Sequence, residues 1–218
     1  QLQQKNNITI VSPGKNIGMG RGANFAFQSI KTDFFLLLSP DTKMDENSIL
    51  KLITTASNYE NCAISAPLNF LDNNSYGILP EKRSLYEKNK DRIHYHKEKL
   101  EIKPEGEICV DITKGCALLI KSKYFKEVGG FSEKYFLFWE EIDLCKKFLK
   151  KKLTIIVNPS SVVHHSDGKS SKISLENLFI RSYHHEISPL YYFDVKKNSP
   201  YIYKNMLKYL FRTLSYLF

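Results

Sequence analysis

Phe34-Phe35-Leu36-Leu37-Leu38-Ser39-Pro40-Asp41-Thr42 is the stretch that decides the fold. Five apolar residues run without polar alternation, the pattern of a strand buried on both faces in the parallel sheet of an α/β protein. A Pro stops the run and an acid follows at once. Ligands of open α/β sheets sit just beyond the carboxyl ends of the strands, so Asp41 stands where a ligand is expected. Pro-Asp is also ordinary turn chemistry, and a role for Asp41 as a mere cap has equal standing on this stretch alone.

Outward from this strand the chain alternates. Upstream, residues 8–11 read as a short strand, followed by a loop with Gly14, Gly18, Gly20 and Gly22 and a helix over about 21–31. Glycines permit close backbone approach to a ligand, and helix N-termini present free N–H groups to phosphate. The spacing is neither the dinucleotide fingerprint nor a P-loop. Downstream, a helix over about 45–57 and a strand at 62–66, stopped by Pro67, complete a strand–helix series that predicts a mostly parallel sheet. From Asn69 to about Glu107 the pattern dissolves into a long excursion over the ligand edge. His94 and His96 in it read as solvated. Strand character returns at 108–113 and 116–120, a helix follows from 139 to about 150, and a strand at 153–157 ends at Asn158-Pro159.

The 218 residues suit one domain with an appendage, and 42% hydrophobic content suffices for a core. A net charge of +9 fits nucleic acid, an anionic membrane surface or phosphorylated substrates. No nucleic-acid motif is recognisable, so nucleic acid is not an expected partner. The four cysteines are scattered and three lie among apolar residues, which suggests free thiols and a reducing compartment. No apolar run approaches the roughly 20 residues of a membrane-spanning helix, and no signal peptide is visible.

Six segments in order resemble the family two glycosyltransferases, most closely the bacterial rhamnosyltransferase-like branch. They are Asn16-Ile17-Gly18 with Asn24, Leu38-Ser39-Pro40-Asp41-Thr42, Thr113-Lys114-Gly115-Cys116-Ala117, Val128-Gly129-Gly130-Phe131-Ser132-Glu133, Phe136-Leu137-Phe138-Trp139-Glu140-Glu141-Ile142-Asp143-Leu144, and Val163-His164-His165 with Gly168 and Ser170. The resemblance covers roughly residues 8–171. It implies a GT-A-like, mostly parallel sheet flanked by helices, and an inverting transfer of sugar from a nucleotide-diphosphate donor. In this chain Ser39 replaces the family's usual Asn, and Glu141 its usual Asp. The family's first two strand–helix units, which grip the base, have no expected counterpart.

On that resemblance Asp41 would bind Mg²⁺ or Mn²⁺ with His164 as second ligand and His165 as the alternative. Asn16, Gly18, Arg21, Asn24 and Asp41 would contact the donor, with Lys15 also facing the diphosphate. Glu141 would be the base that takes the acceptor's proton, with Glu140 and Asp143 as competitors. Three acids so close should raise at least one pKa. Gly115 and Trp139 would border the acceptor. Acids at a helix start are also favoured by the helix dipole alone, the natural role for Asp143.

From Lys172 onward the sequence becomes basic and aromatic, and 172–218 reads as an amphipathic tail after a core of 1–171. Lys204, Lys208 and Arg212 among Met206, Leu207, Leu210, Phe211 and Leu214 suit an anionic membrane interface. Packing on the core or on a second subunit is the alternative. The expected setting is the cytoplasmic face of the plasma membrane, with a saccharide or lipid-linked saccharide as acceptor in cell-surface polysaccharide synthesis. The rival reading is a non-catalytic protein that keeps this fold for binding or assembly.

Overall fold

The computed structural model describes residues 8–71, 104–166, 174–194 and 200–214. In chain order the elements are α1 (Met19–Phe27), β1 (Phe34–Leu38), β2 (Thr42–Lys43), α2 (Glu46–Asn58), β3 (Cys62–Leu71), β4 (Ile108–Val110), β5 (Ala117–Lys121), α3 (Ser122–Glu127), α4 (Glu140–Lys150), β6 (Thr154–His165), α5 (Leu175–Tyr192) and α6 (Pro200–Leu214). His94, His96 and the middle of the expected excursion lie outside the described residues.

The fold is α/β, but the sheet corrects the expectation of a mostly parallel one. Its order is β1-β5-β3-β6-β2, with β4 also on β6. Only β3 and β6 run parallel; β1·β5, β3·β5, β4·β6 and β2·β6 are antiparallel. The series β1-α2-β3 does make two strands of like direction, as a helical crossover demands. They are not neighbours, because β5 returns from the excursion in the opposite sense and inserts between them. β1 is therefore an edge strand, partly exposed along its length. The fully buried strand is β5, Ala117-Leu118-Leu119-Ile120-Lys121.

Two prolines were expected to end strands and do not. β3 continues past Pro67 and β6 past Pro159, and the pairing register jumps between Pro67 and Leu68, from Asn158 to Val162 on the partner. Proline has no N–H for the ladder, so a bulge is where a strand accommodates it. Residues 8–11 carry no strand; Ile8, Ile10 and Val11 are exposed.

The core lies between the sheet and helices α1, α3 and α4. Phe27, Phe35, Phe125 and Phe131 pack edge-on or tilted with ring centroids 4.7–5.6 Å apart, a favoured aromatic geometry. Leu144, Cys145 and Phe148 of α4 close the same cluster. On the opposite face, Leu52 and Ala56 of α2 cover Leu119 and Ile156. Cys62, Cys109, Cys116 and Cys145 form no disulfide.

Candidate functional site

The carboxyl ends of β1, β3 and β6 lie at one edge of the sheet, and the start of antiparallel β5 lies there too. Asp41 reaches this edge through a tight turn. The Thr42 N–H and hydroxyl both donate to the Ser39 carbonyl, at 3.2 and 2.5 Å, and the Ser39 N–H donates to the Cys116 carbonyl at 2.9 Å. The Ser166 N–H donates to the Asp41 carbonyl at 3.1 Å. This stitching brings the far end of β6 alongside, with Thr42 opposite His165 and Lys43 opposite His164.

Of the two histidines, His165 is the one that approaches Asp41, with Nε2 3.4 Å from Oδ1 and both side chains largely buried. Successive strand residues face opposite ways. His164 is exposed and acts instead on Asp45, whose carboxyl is held below the usual range mainly by the Ser48 N–H it accepts at 2.6 Å. Among the described residues no group of three or more His, Cys, Asp or Glu side chains could hold a metal ion.

Gly115 links this edge to α4. A Cβ placed on Gly115 would lie 3.4 Å from Cβ of Glu141 and 3.4 Å from Cε of Met19. Glu141 thus stands beside the segment that enters β5, next to the turn carrying Asp41. Glu140 points into the protein. It is 4% exposed, packs under Gly20 of α1, and its Oε2 has no hydrogen-bond partner. Burial first, and the Glu141 charge second, push its pKa up to about 8. Asp143 is a structural acid: it accepts from the Ser132 hydroxyl, from Tyr135 Oη at 3.2 Å, and lies 3.6 Å from Lys134 Nζ.

The Glu140 carboxyl has a consequence for stability. The folded chain holds its proton more tightly than the unfolded chain does, so this group favours folding most below about pH 4.5. That contribution is lost as pH climbs through about 8. Melting temperature measured across this window should decline with pH in wild type, and Glu140→Gln should flatten the decline. An unchanged slope in the variant would show the carboxyl ionised and hydrated.

The glycine-rich segment and the residues after α3 turn out to be one unit. The Asn24 side chain donates to the Phe131 carbonyl and accepts from the Phe131 N–H, both at 2.9 Å. Gly130 lies against it at φ +65°, where a Cβ would come within 2.5 Å of Asn24 Oδ1. Arg21 Nε donates to the Glu133 carbonyl at 2.7 Å, and its Nη2 donates to the same oxygen. Asn16 Oδ1 accepts from the Gly18 N–H at 3.0 Å. Asn24 and Arg21 therefore hold α1 to the 130–133 turn, and Asn16 shapes the entry to α1. Lys15 is exposed.

Immediately before the acids, Phe138 and Trp139 have φ of 66° and 71°. Two successive bulky residues in the left-handed region are strained, and such strain persists only where surroundings hold it. α5 supplies the hold. His184 stacks on Phe136 at 5.0 Å, Ser188 Oγ donates to the Leu137 carbonyl at 2.8 Å, and Arg181 lies over Phe138. Tyr192 and Phe193 pack on Trp139 at 5.2 and 5.4 Å. Trp139 is thus enclosed by aromatic rings from the end of α5. These partners sit in the segment that the sequence marks only as a tail, and no motif there signals them.

Asn69 is the other residue that sequence reasoning passes over. Its side chain is buried near the carboxyl end of β3, and Asn69 lines the same cleft as Thr113 and Lys114.

The architecture is an α/β fold on a mixed, mostly antiparallel sheet, with Asp41 and His165 together at one edge of it. No protein-family profile matches the chain. Among individual proteins, the chain is 23% identical to the N-acetylglucosaminyl-diphospho-decaprenol L-rhamnosyltransferase of Mycobacterium tuberculosis, over 88% of this chain and 69% of that enzyme. It is thus a distant relative of a bacterial rhamnosyltransferase. Among solved structures it resembles GalNAc-T7 with UDP, GalNAc and Mn²⁺, at TM-score 0.54 and 14% identity over 86% of this chain. It also resembles a mannosyltransferase from Pyrobaculum calidifontis with GDP-Man and Mn²⁺, at TM-score 0.53 and 10% identity over 95% of this chain. The chain spans 39% and 55% of the lengths of those two proteins.

Proposed function

We propose that this chain carries the catalytic part of an inverting glycosyltransferase. It moves a sugar from a nucleotide-diphosphate donor to a saccharide or lipid-linked saccharide in cell-surface polysaccharide synthesis. The observation that carries the reading is a continuous path of contacts joining two acids far apart in sequence. Asp41 follows Ser39 by two residues, Ser39 is bonded to Cys116, and a methyl on the adjacent Gly115 would lie 3.4 Å from Glu141. An acid for the donor's diphosphate end and an acid for the acceptor thus border one edge.

Glu141 accepts the proton of the acceptor hydroxyl as that oxygen attacks the anomeric carbon, and direct attack inverts the centre. Glu140, whose burial raises its pKa to about 8, keeps its proton at pH 7 and does not compete for this role. Gly115, having no side chain, leaves room beside Glu141, and Trp139 borders the acceptor. Asn16 and Gly18 form the entry to α1 on the donor side, and Arg21 and Asn24 brace it.

The residues present fit a divalent ion. Asp41 Oδ1 and His165 Nε2, 3.4 Å apart, are an oxygen and a nitrogen donor of the types that hold such ions. Asp41 and His165 would hold Mg²⁺ or Mn²⁺, leaving the other positions to phosphate oxygens and water, and His164 serves on the Asp45 side. Such an ion supplies charge neutralisation for the departing nucleoside diphosphate.

The test is release of sugar from UDP-, GDP- and dTDP-linked donors by the full-length protein, with and without Mn²⁺. Mn²⁺-dependent release from one donor class is expected. Release from none of them would favour the non-catalytic reading.

Membrane attachment at the cytoplasmic face is part of this proposal. No helix among the described residues is long and apolar enough to cross a membrane. α6 instead exposes Tyr203, Met206, Leu207, Leu210, Phe211 and Leu214, 42–69% each, with Lys204 and Lys208 exposed as well. Apolar residues at three- and four-residue spacing with lysines between them suit the interface of an anionic bilayer. The full-length protein should float with phosphatidylglycerol vesicles, and Leu207→Glu with Phe211→Glu should cut the bound fraction about 10-fold. Equal flotation of the variant would remove α6 from the membrane, and a loss of dimers instead would assign its apolar face to a second copy.

A further inference from the structure

A small cleft, open to solvent, lies at the same edge of the sheet. Pro67, Leu68 and Asn69 of β3 line one side, and Thr113, Lys114 and Cys116 line the other. Asn69 is 4% exposed, and neither Nδ2 nor Oδ1 has a hydrogen-bond partner. Buried amides in folded proteins are nearly always paired, because an unpaired donor or acceptor forfeits its water bonds for nothing. Here both halves of one amide are unpaired, in a residue that lines a cleft. The polar groups of Thr55, Asn158 and Glu107, also near β6, bond one another at 2.5–3.1 Å, so the orphaned amide is not a general habit of this fold.

We infer that Asn69 is a specificity-determining residue that hydrogen-bonds a ring hydroxyl of the donor sugar. This rests on the glycosyl-transfer reading above. A side-chain amide offers one acceptor and two donor hydrogens. A sugar hydroxyl also gives and accepts, so one or two adjacent hydroxyls satisfy both halves of the amide. The cleft's position favours the donor sugar. Cys116 lines it and is bonded to the Ser39–Asp41 turn, so a sugar in the cleft would sit next to a diphosphate held at Asp41. A site built to bond a hydroxyl rejects a sugar lacking it, or presenting it on the other face, far better than an apolar pocket does.

Asn69→Leu in the full-length protein separates this role from a structural one. The probes are UDP, GDP and dTDP, and UDP-glucose, UDP-GalNAc, GDP-mannose and dTDP-rhamnose, titrated with Mn²⁺ present. Leucine has nearly the shape of asparagine and no polar atoms. The variant should melt at or above the wild-type temperature and bind the parent nucleotides within about two-fold of wild type. The preferred nucleotide sugar should lose about 10-fold in affinity, and preference among the four should narrow. Asn69→Ser keeps a shorter hydroxyl and should change the rank order of the sugars without changing nucleotide affinity. It serves if the leucine variant does not fold. Unchanged sugar preference in the folded variants overturns the inference, as does a lower melting temperature with equal loss of nucleotide and nucleotide-sugar binding. If acceptor affinity falls while donor affinity holds, the donor assignment is overturned. If no sugar improves on its parent nucleotide in wild type while the nucleotides bind, the glycosyl-transfer reading fails and takes this one with it.

Discussion

Glu141→Gln is expected to lower the rate of sugar transfer about 10²–10⁴-fold, the usual worth of a positioned general base. The amide keeps the size and much of the polarity of the carboxylate but cannot accept the acceptor's proton. Glu141 lies partly exposed at the second position of α4, beside Gly115, and takes no part in the core. The variant should therefore melt near the wild-type temperature and bind the donor normally. Its loss should fall on kcat, not on donor affinity. Glu141→Asp should restore part of the rate, since the resembling family uses Asp there and the change is one methylene. Glu140 does not substitute. Its carboxyl is enclosed under α1, and burial keeps it protonated at pH 7. Full activity of Glu141→Gln would remove Glu141 from the mechanism and return the choice to Glu140.

Gly18→Ala should have the largest effect on stability, about 3 kcal/mol or more. Gly18 sits at φ +85° at the start of α1, and an added methyl would lie 2.2 Å from the Phe136 carbonyl oxygen. The obstacle is backbone on both sides. α1 is already fixed by Asn24 and Arg21 to the 131–133 turn, and Phe136 is fixed by His184. Relief requires α1 to move off the segment that leads into Trp139 and Glu140. Urea denaturation should show the loss, with a parallel fall in activity as α1 loosens over Glu140. A change under about 1 kcal/mol would mean that this contact is softer than the structure draws it.

How much of this was legible beforehand depends on how local each signal was. The apolar run of β1, the cap of α2 at Asp45 and the acids opening α4 are short-range patterns, and they lie where the sequence suggests. The direction of the sheet was not legible. It is decided by β5, whose pairing partners Phe34–Leu38 and Ile64–Ser65 lie across a long excursion, and nothing in Ala117–Lys121 records which strands will flank it. Pro67 and Pro159 were misleading for a physical reason. Each alone signals a strand end, and only their shared bulge lets both strands run on to the edge that carries His165 and Asn69.

The site was legible as residue types and not as contacts. Asp41, Gly115 and Glu141 stand in recognisable segments, yet their joining through Ser39 and Cys116 is a tertiary fact. Adjacent histidines look alike in sequence; strand alternation is what turns His165 toward Asp41 and leaves His164 outside. Asn24 and Arg21 are expected at the donor from the family resemblance of their segment, and the structure bonds their side chains to the 131–133 backbone. Asn69 carried no signal, since an Asn at the point where strand pattern dissolves reads as the first residue of a loop.

The central claim is that a nucleotide sugar is held and opened at the edge where Asp41 meets His165. The most direct measurement is metal-dependent sugar release by full-length Asp41→Ala beside wild type, on whichever donor wild type cleaves, with melting temperature as the check on folding. Removal of the Asp41 carboxylate should cut release about 100-fold or more, and excess Mn²⁺ should not restore it. A folded variant that releases sugar at the wild-type rate would contradict the account and move the donor's diphosphate to another part of the molecule.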